Sequence, residues 1–406
     1  MKIRYLFVIK LLLIFLLFMF IRFIEINDYT NTICAFLTLA FSMILLYRTR
    51  KSIPLILVFA FVLYCNYSII MGEYFIGGHL GIPIHEVKNS YYYGINIRIL
   101  LLFVAILSTF YNSSNIDHFN FKLVPKDNLF IFAIIVIVLI LIFLFGIDRG
   151  PLTSYSVRIT PIYEYSRVLF LFAYYFSGSS RIRKYIFFIL VVLFILQDFY
   201  YGGRITSLQL ILLIAVTLLS GKLTSKKLVK YGLWGIFINS LIVEYRKAYT
   251  LDSINIINLF KNLVNNYHVF DTPIYAYYAS ATHIAAAEIA GVDIKLNSFL
   301  EFIKAIIVGS KNISGNVTKF VRINYFLNFG GGLLPSHFYF WMGWLGVIVI
   351  SIIITYIFNK LTYLKSDYQK IIFASIVCTA PRWYLYSPLV LFRGSLFITT
   401  VLYFIF

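Results

Sequence analysis

The sequence predicts an all-α polytopic membrane protein with about 12 transmembrane helices and one long outer loop. Composition is the first reason. The chain has 406 residues, 61% of them hydrophobic and 13% charged, with a mean hydropathy of +0.87. An ordinary soluble domain is about 45–50% apolar and about 25% charged. A soluble chain of this length would divide into several cores with polar skins, and there is too little polar sequence here to cover them. A soluble enzyme, a disordered chain and a disulfide scaffold are excluded. The second reason is the length of the apolar runs. The third is the alternation of positive charge between the loops that join them.

Runs of about 17–25 apolar residues can cross a bilayer as helices. They fall at 5–24, 30–47, 53–71, 91–111, 128–147, 161–178, 185–201, 205–220, 231–246, 338–358, 369–382 and 388–406. The first opens Met1-Lys2-Ile3-Arg4 without a small-residue cleavage site, which reads as an anchor rather than a removed signal peptide. With the N-terminus in the cytoplasm, the inner segments hold Lys2, Arg4 and Lys10, then Arg48, Arg50 and Lys51, then Lys122 and Lys126. They continue with Arg181, Arg183 and Lys184, with Lys222, Lys226, Lys227 and Lys230, and with Lys360, Lys365 and Lys370. The opposite short loops hold far fewer basic residues. The positive-inside rule and anionic lipid therefore account for most of the net charge of +19, so membrane lipid rather than nucleic acid is the implied partner. Aromatic residues, at 19%, suit helix ends seated in two lipid interfaces. Cys34, Cys65 and Cys378 lie singly in apolar runs and suggest neither a disulfide framework nor a metal cluster.

One connection is too long to be a turn. Residues 247–337 carry mixed sequence on the outer side, and the whole chain, 1–406, reads as a single integral membrane domain with this one long loop. Ile254, Ile257, Leu259, Phe260, Leu263 and Val264 share a helical apolar face, the pattern of an interfacial helix. Asp271-Thr272-Pro273 signals the start of a second helix. Gly330-Gly331-Gly332 leads into Leu334-Pro335-Ser336-His337 at the start of the next span.

Arg149, Arg158, Arg167, Arg204, Arg246, Arg322, Arg382 and Arg393 fall on the outer side or at outer helix ends, where the inside rule does not explain them. The choice of arginine over lysine is informative, because guanidinium offers a planar fork that grips phosphate in bidentate fashion. A charge at mid-helix costs about 2.5–3.5 kcal/mol on insertion scales, and such residues usually line a cavity. With each charged hydrogen bond contributing about 1.5–3 kcal/mol, three or four arginines can hold a diphosphate. Arg158, Arg204, Arg246 and Arg322 are the strongest candidates; interfacial anchoring competes as an explanation for Arg382 and Arg393. His337, at the end of the outer loop and before Phe338-Tyr339-Phe340-Trp341, is the candidate general base. His283 reads as a packed helix residue, and His79, His85, His118 and His268 as loop histidines, with Glu164 and Glu288 as candidate helpers. The chain has no Walker loop, no His-Glu-x-x-His helix, no nucleophile elbow and no Asp-x-Asp pair, which argues against ATP or a nucleotide sugar as a direct substrate.

The Gly202-Gly203-Arg204 turn opening a span, the single long outer loop, and Leu334-Pro335-Ser336-His337-Phe338-Tyr339 followed by Gly343-Trp344-Leu345-Gly346 resemble Wzy-type O-antigen polymerases, the oligosaccharide repeat-unit polymerases of the bacterial inner membrane. An Arg-x10-Gly spacing carried by some members occurs here at Arg167 and Gly178, with Gly178 at the cytoplasmic end of a span, whereas Arg322 and Gly332 have nine residues between them. The resemblance implies an all-helical glycosyltransferase fold of the GT-C type, acting on undecaprenyl-diphosphate-linked oligosaccharide at the periplasmic face without metal or other cofactor. It implies diphosphate-binding roles for Arg158, Arg204, Arg246 and Arg322, a catalytic role for His337, and room for a chain-length regulator protein as partner. An O-antigen ligase and a non-enzymatic lipid-linked oligosaccharide flippase or transporter are the alternatives. Transporters of that kind usually carry mid-helix charges and internal repeats.

Overall fold

The computed structural model describes residues 2–76, 91–112, 121–147, 160–201, 203–219, 223–248, 255, 257, 269, 271–309, 312–361 and 366–406. The helices are α1 Lys2–Phe23, α2 Asp28–Thr49, α3 Ile53–Ile70 with a π-helical turn Met71–Phe75, α4 Tyr91–Phe110, α5 Leu129–Phe145, α6 Pro161–Tyr175, α7 Arg181–Tyr200 and α8 Ile205–Thr217. They continue with α9 Ser225–Ala248, α10 Asp271–Ile289, α11 Val292–Val308, α12 Val317–Asn324, α13 Leu334–Leu361, α14 Asp367–Cys378, α15 Ala380–Leu385, a π-helical stretch Val390–Ile398 and α16 Thr399–Ile405. Among the described residues there is no strand.

The chain is an all-α membrane protein. Asp28–Thr49, Ile53–Phe75, Tyr91–Phe110 and Leu334–Lys360 are long and apolar enough to cross a bilayer, and Leu129–Phe145, Ile205–Thr217 and Val390–Ile405 are shorter apolar helices. Each apolar run read from the sequence lies on a helix. Polar residues start several of them. Asn27 and Thr30 form a capping box at α2, as do Ser366 and Gln369 at α14, and Thr160 caps α6 just ahead of Pro161.

The chain packs as two compact units. The first joins Met1–Phe119, Val269–Tyr363 and Arg382–Arg393; the second joins Asn120–His268, Leu364–Pro381 and Gly394–Phe406. In the first unit α4 is central, packed against α1, α2, α10 and α13, and its side chains from Tyr93 to Ser108 are all buried. Arg98 lies in that run. Its Nη1 donates to the carbonyls of Ile21 (2.7 Å) and Ile24 (2.8 Å), and its Nη2 to the Glu25 carbonyl (2.7 Å) and Thr30 Oγ1 (3.2 Å). A buried guanidinium thus closes the open carbonyl end of α1 and ties it to the first turn of α2. At the opposite end of α4, Arg48 donates to the carbonyls of Ser108 and Thr109.

Among the described residues of 247–337, α10, α11 and α12 lie wholly within the stretch. Residues from Pro273 to Ala287 of α10 are buried almost without a gap, against α4 and α13. On α11, Ser298, Phe302 and Ala305 face inward while Leu296, Leu300, Ile303 and Ile307 stay exposed, the pattern of a helix lying in a lipid interface. The expected interfacial helix at 254–264 lies outside the described residues, apart from Asn255 and Ile257. In the second unit α5 packs with α6, α7 with α8, and α14 with α6, α8 and α16. Phe132, Ile135, Leu139 and Ile142 of α5 form one buried stripe at helical spacing.

Candidate functional site

Gly330, Gly331 and Gly332 all have positive φ, +93°, +82° and +140°. The loop they form is pinned from three sides. Gly332 N–H donates to the Leu385 carbonyl (2.9 Å), Leu333 N–H to Ser280 Oγ on α10 (2.7 Å), and Thr318 Oγ1 on α12 to the Gly331 carbonyl. Only glycine fits at position 332. Its φ suits no L side chain, and a Cβ there would lie 2.4 Å from His283 Cε1 and 2.9 Å from His337 Nε2.

Beneath this loop the two imidazoles meet. Their ring centroids are 4.7 Å apart and the planes are tilted by 53°. His283 is fully buried and His337 is 1% exposed. Ser336 Oγ donates to the Leu333 carbonyl at 2.8 Å and lies 3.0 Å from His283 Nδ1. His283 Nε2 and His337 Nε2 are both buried without a hydrogen-bond partner. His283, read from the sequence as a packed helix residue, is indeed packed, and it is also the neighbour of the candidate base. His337, expected at the end of the outer loop, is buried within the protein. Its helix begins at Leu334, so His337 sits in the first turn, and α10 and the glycine loop cover it.

The candidate phosphate-binding arginines divide between the units. Arg322 is exposed on α12 in the first unit, whose Thr318 holds the glycine loop over His337. Arg204 and Arg246 belong to the second unit, Arg204 immediately before α8 and Arg246 on α9, while Arg158 and Arg149 lie outside the described residues. The turn before Arg204 has a structural basis. Asp198 is buried and accepts from Ser207 N–H (2.8 Å) and Ser207 Oγ (2.7 Å), and Gly203 packs so closely that a Cβ would fall 2.1 Å from Asp198 Oδ1. Gly203 therefore serves the turn itself.

Three weaker arginine candidates have packing roles. Arg167 is buried and donates to Gln209 Oε1 at 2.9 Å. Arg393 Nη1 caps α11 through the carbonyls of Ala305, Ile306 and Ile307, at 3.2, 3.1 and 2.8 Å. Arg382 lies over the Tyr386 ring, 5.2 Å from its centroid. Of the candidate helpers, Glu164 lies in the first turn of α6 and Glu288 is exposed near the end of α10. His79, His85, His118 and His268 are outside the described residues.

Sequence reasoning passed over two charged residues, Arg98 inside the run 91–111 and Glu73 two residues beyond the run 53–71. The carboxylate of Glu73 sits in the π-helical turn of α3 and accepts from Tyr93 OH (2.6 Å) and Tyr278 OH (2.9 and 3.0 Å). Beside it the hydroxyls of Tyr74 and Tyr277 lie 2.5 Å apart. An ionisable residue in or beside an apolar run was the available signal for both. Among the described residues no three His, Cys, Asp or Glu side chains gather as a metal-ligand set. No family model, no curated protein and no solved structure matches the chain.

Proposed function

We propose that the protein is a repeat-unit polymerase of surface polysaccharide, spanning the bacterial inner membrane about 12 times with a GT-C-like fold and a periplasmic site. The growing glycan on undecaprenyl diphosphate is the donor and a lipid-linked repeat unit is the acceptor. His337 takes the proton from an acceptor hydroxyl. The oxygen attacks the anomeric carbon of the donor, the bond from that carbon to the diphosphate oxygen breaks, and undecaprenyl diphosphate leaves with the electron pair. Arg158, Arg204, Arg246 and Arg322 meet its developing charge, an electrostatic contribution made at the leaving group.

The observation that carries this reading is the His283–His337 pair, whose Nε2 atoms are buried and unpartnered beneath a glycine loop held by the helix that bears Arg322. The proposed base and one of the proposed phosphate-binding arginines are carried on one short frame. The test is the banding of surface polysaccharide on a gel. Arg246→Ala and His337→Ala strains with normally inserted protein should yield lipopolysaccharide bearing a single repeat unit, and long-chain ladders from either variant would defeat that residue's assignment. Loss of all surface glycan from a deletion strain would instead favour a ligase.

A further inference from the structure

We infer that the cavity between the ends of α1 and α10, the start of α4 and the break in α13 is a binding site for a neutral saccharide. It has a volume of about 450 Å³ and is lined by Arg22, Glu25, Arg98, Glu288, Tyr339 and Trp344, with four isoleucines among the remaining lining residues. The inference rests on the proposed function for the source of the sugar, and on the cavity itself for the chemistry.

Its size falls within the range of ligand sites, about 300–1,000 Å³. The wall is built rather than incidental. α13 leaves helical geometry at Gly343 (φ 59°, ψ −143°), between Tyr339 and Trp344, and the two rings stand edge to face with centroids 5.6 Å apart. Irregular backbone inside a spanning helix persists where it is buried in protein or lines a watery cavity. Arg98 gives a second, independent sign. It is 1% exposed, its Nη groups are occupied by backbone and Thr30, and its Nε is buried with no partner.

Charge selects the occupant. Two guanidinium groups and two carboxylates line one space, and Tyr92 already hydrogen-bonds Glu288. A phosphate would meet both carboxylates. An acyl tail would desolvate the exposed charges of Arg22, Glu25 and Glu288. A neutral sugar ring suits the polar and aromatic parts of the wall: its hydroxyls donate to Glu25 and Glu288 and accept from Arg22, and its C–H face lies on the aromatic rings of Tyr339 and Trp344.

The test is isothermal titration of the full-length protein in phosphatidylglycerol nanodiscs. The probe is the neutral oligosaccharide repeat freed from the host's surface glycan by mild acid. Saturable binding is expected, unaffected by inorganic pyrophosphate and weakened about tenfold or more by Glu288→Gln and by Tyr339→Leu, each with an unchanged thermal midpoint. A silent titration with folded wild-type protein, or wild-type affinity in both variants, overturns the inference. So does loss of binding when phosphatidylethanolamine replaces phosphatidylglycerol, which would assign the cavity to a zwitterionic headgroup. The two readings fail separately. Silence in the titration with single-repeat lipopolysaccharide in the deletion strain removes the cavity site and leaves the polymerase. Binding lost through Glu288→Gln, with full ladders in the deletion strain, does the reverse.

Discussion

Gly332 rests on both His283 and His337, with no room for one more carbon between its backbone and the two rings. The smallest possible change therefore tests how the loop is held. Gly332→Ala must either abandon a φ of +140° or push the imidazoles apart. A non-glycine residue in such a region costs of order 1–3 kcal/mol, so the thermal midpoint of the purified variant should fall by several degrees. Gly330→Ala, where a Cβ meets nothing within 4 Å, should fall less. Equal midpoints for the two would show that crowding at the histidines does not matter.

Arg98→Lys should not rescue Arg98→Ala. The guanidinium reaches three carbonyls and a hydroxyl from one planar fork, and an ammonium cannot span them. Leaving buried carbonyls unpaired costs about 1–3 kcal/mol each. Both variants should show sharply reduced yield of folded protein, read as the monodisperse fraction in detergent on size exclusion. Near-normal yield of the lysine variant would refute the capping role.

Arg393→Ala separates arginines that serve packing from those proposed to bind substrate. Its guanidinium closes the carbonyl end of α11 beside Gly309, and a cation there is worth about 0.3–2 kcal/mol. The expected result is faster amide exchange over the last turn of α11 with polysaccharide chain length preserved. A collapse to single-repeat lipopolysaccharide would move Arg393 into the substrate-binding group.

Acid should loosen the turn after α11. Hydrogen bonds from Lys304 and Asn312, at 2.7 and 3.0 Å, hold the Glu301 carboxyl below its ordinary pKa of 4.5. A depressed folded pKa means that this stabilisation is fully present above pH 4.5 and lost as pH falls through the folded value. Amide exchange at Asn312–Gly315, compared between Glu301 and Glu301→Gln proteins, should differ at neutral pH and converge in acid. A constant difference across that range would exclude the linkage.

The sequence by itself determined the membrane class and the positions of the helices, because both follow from the length of the apolar runs counted along the chain. It also marked Gly330–Gly332 and His337 as unusual. It did not determine which face of α5 is buried, since Leu129–Phe145 is apolar all round and carries no period to read. Nor did it show that Arg393 is a helix cap, that Gly203 yields to Asp198, or that His283 stands against His337 across 53 intervening residues of chain. Those relationships were decided by packing. In a chain so rich in apolar side chains, hydrophobicity separates lipid from water but does not choose among protein neighbours, and that choice falls to the few polar atoms that must find partners away from water.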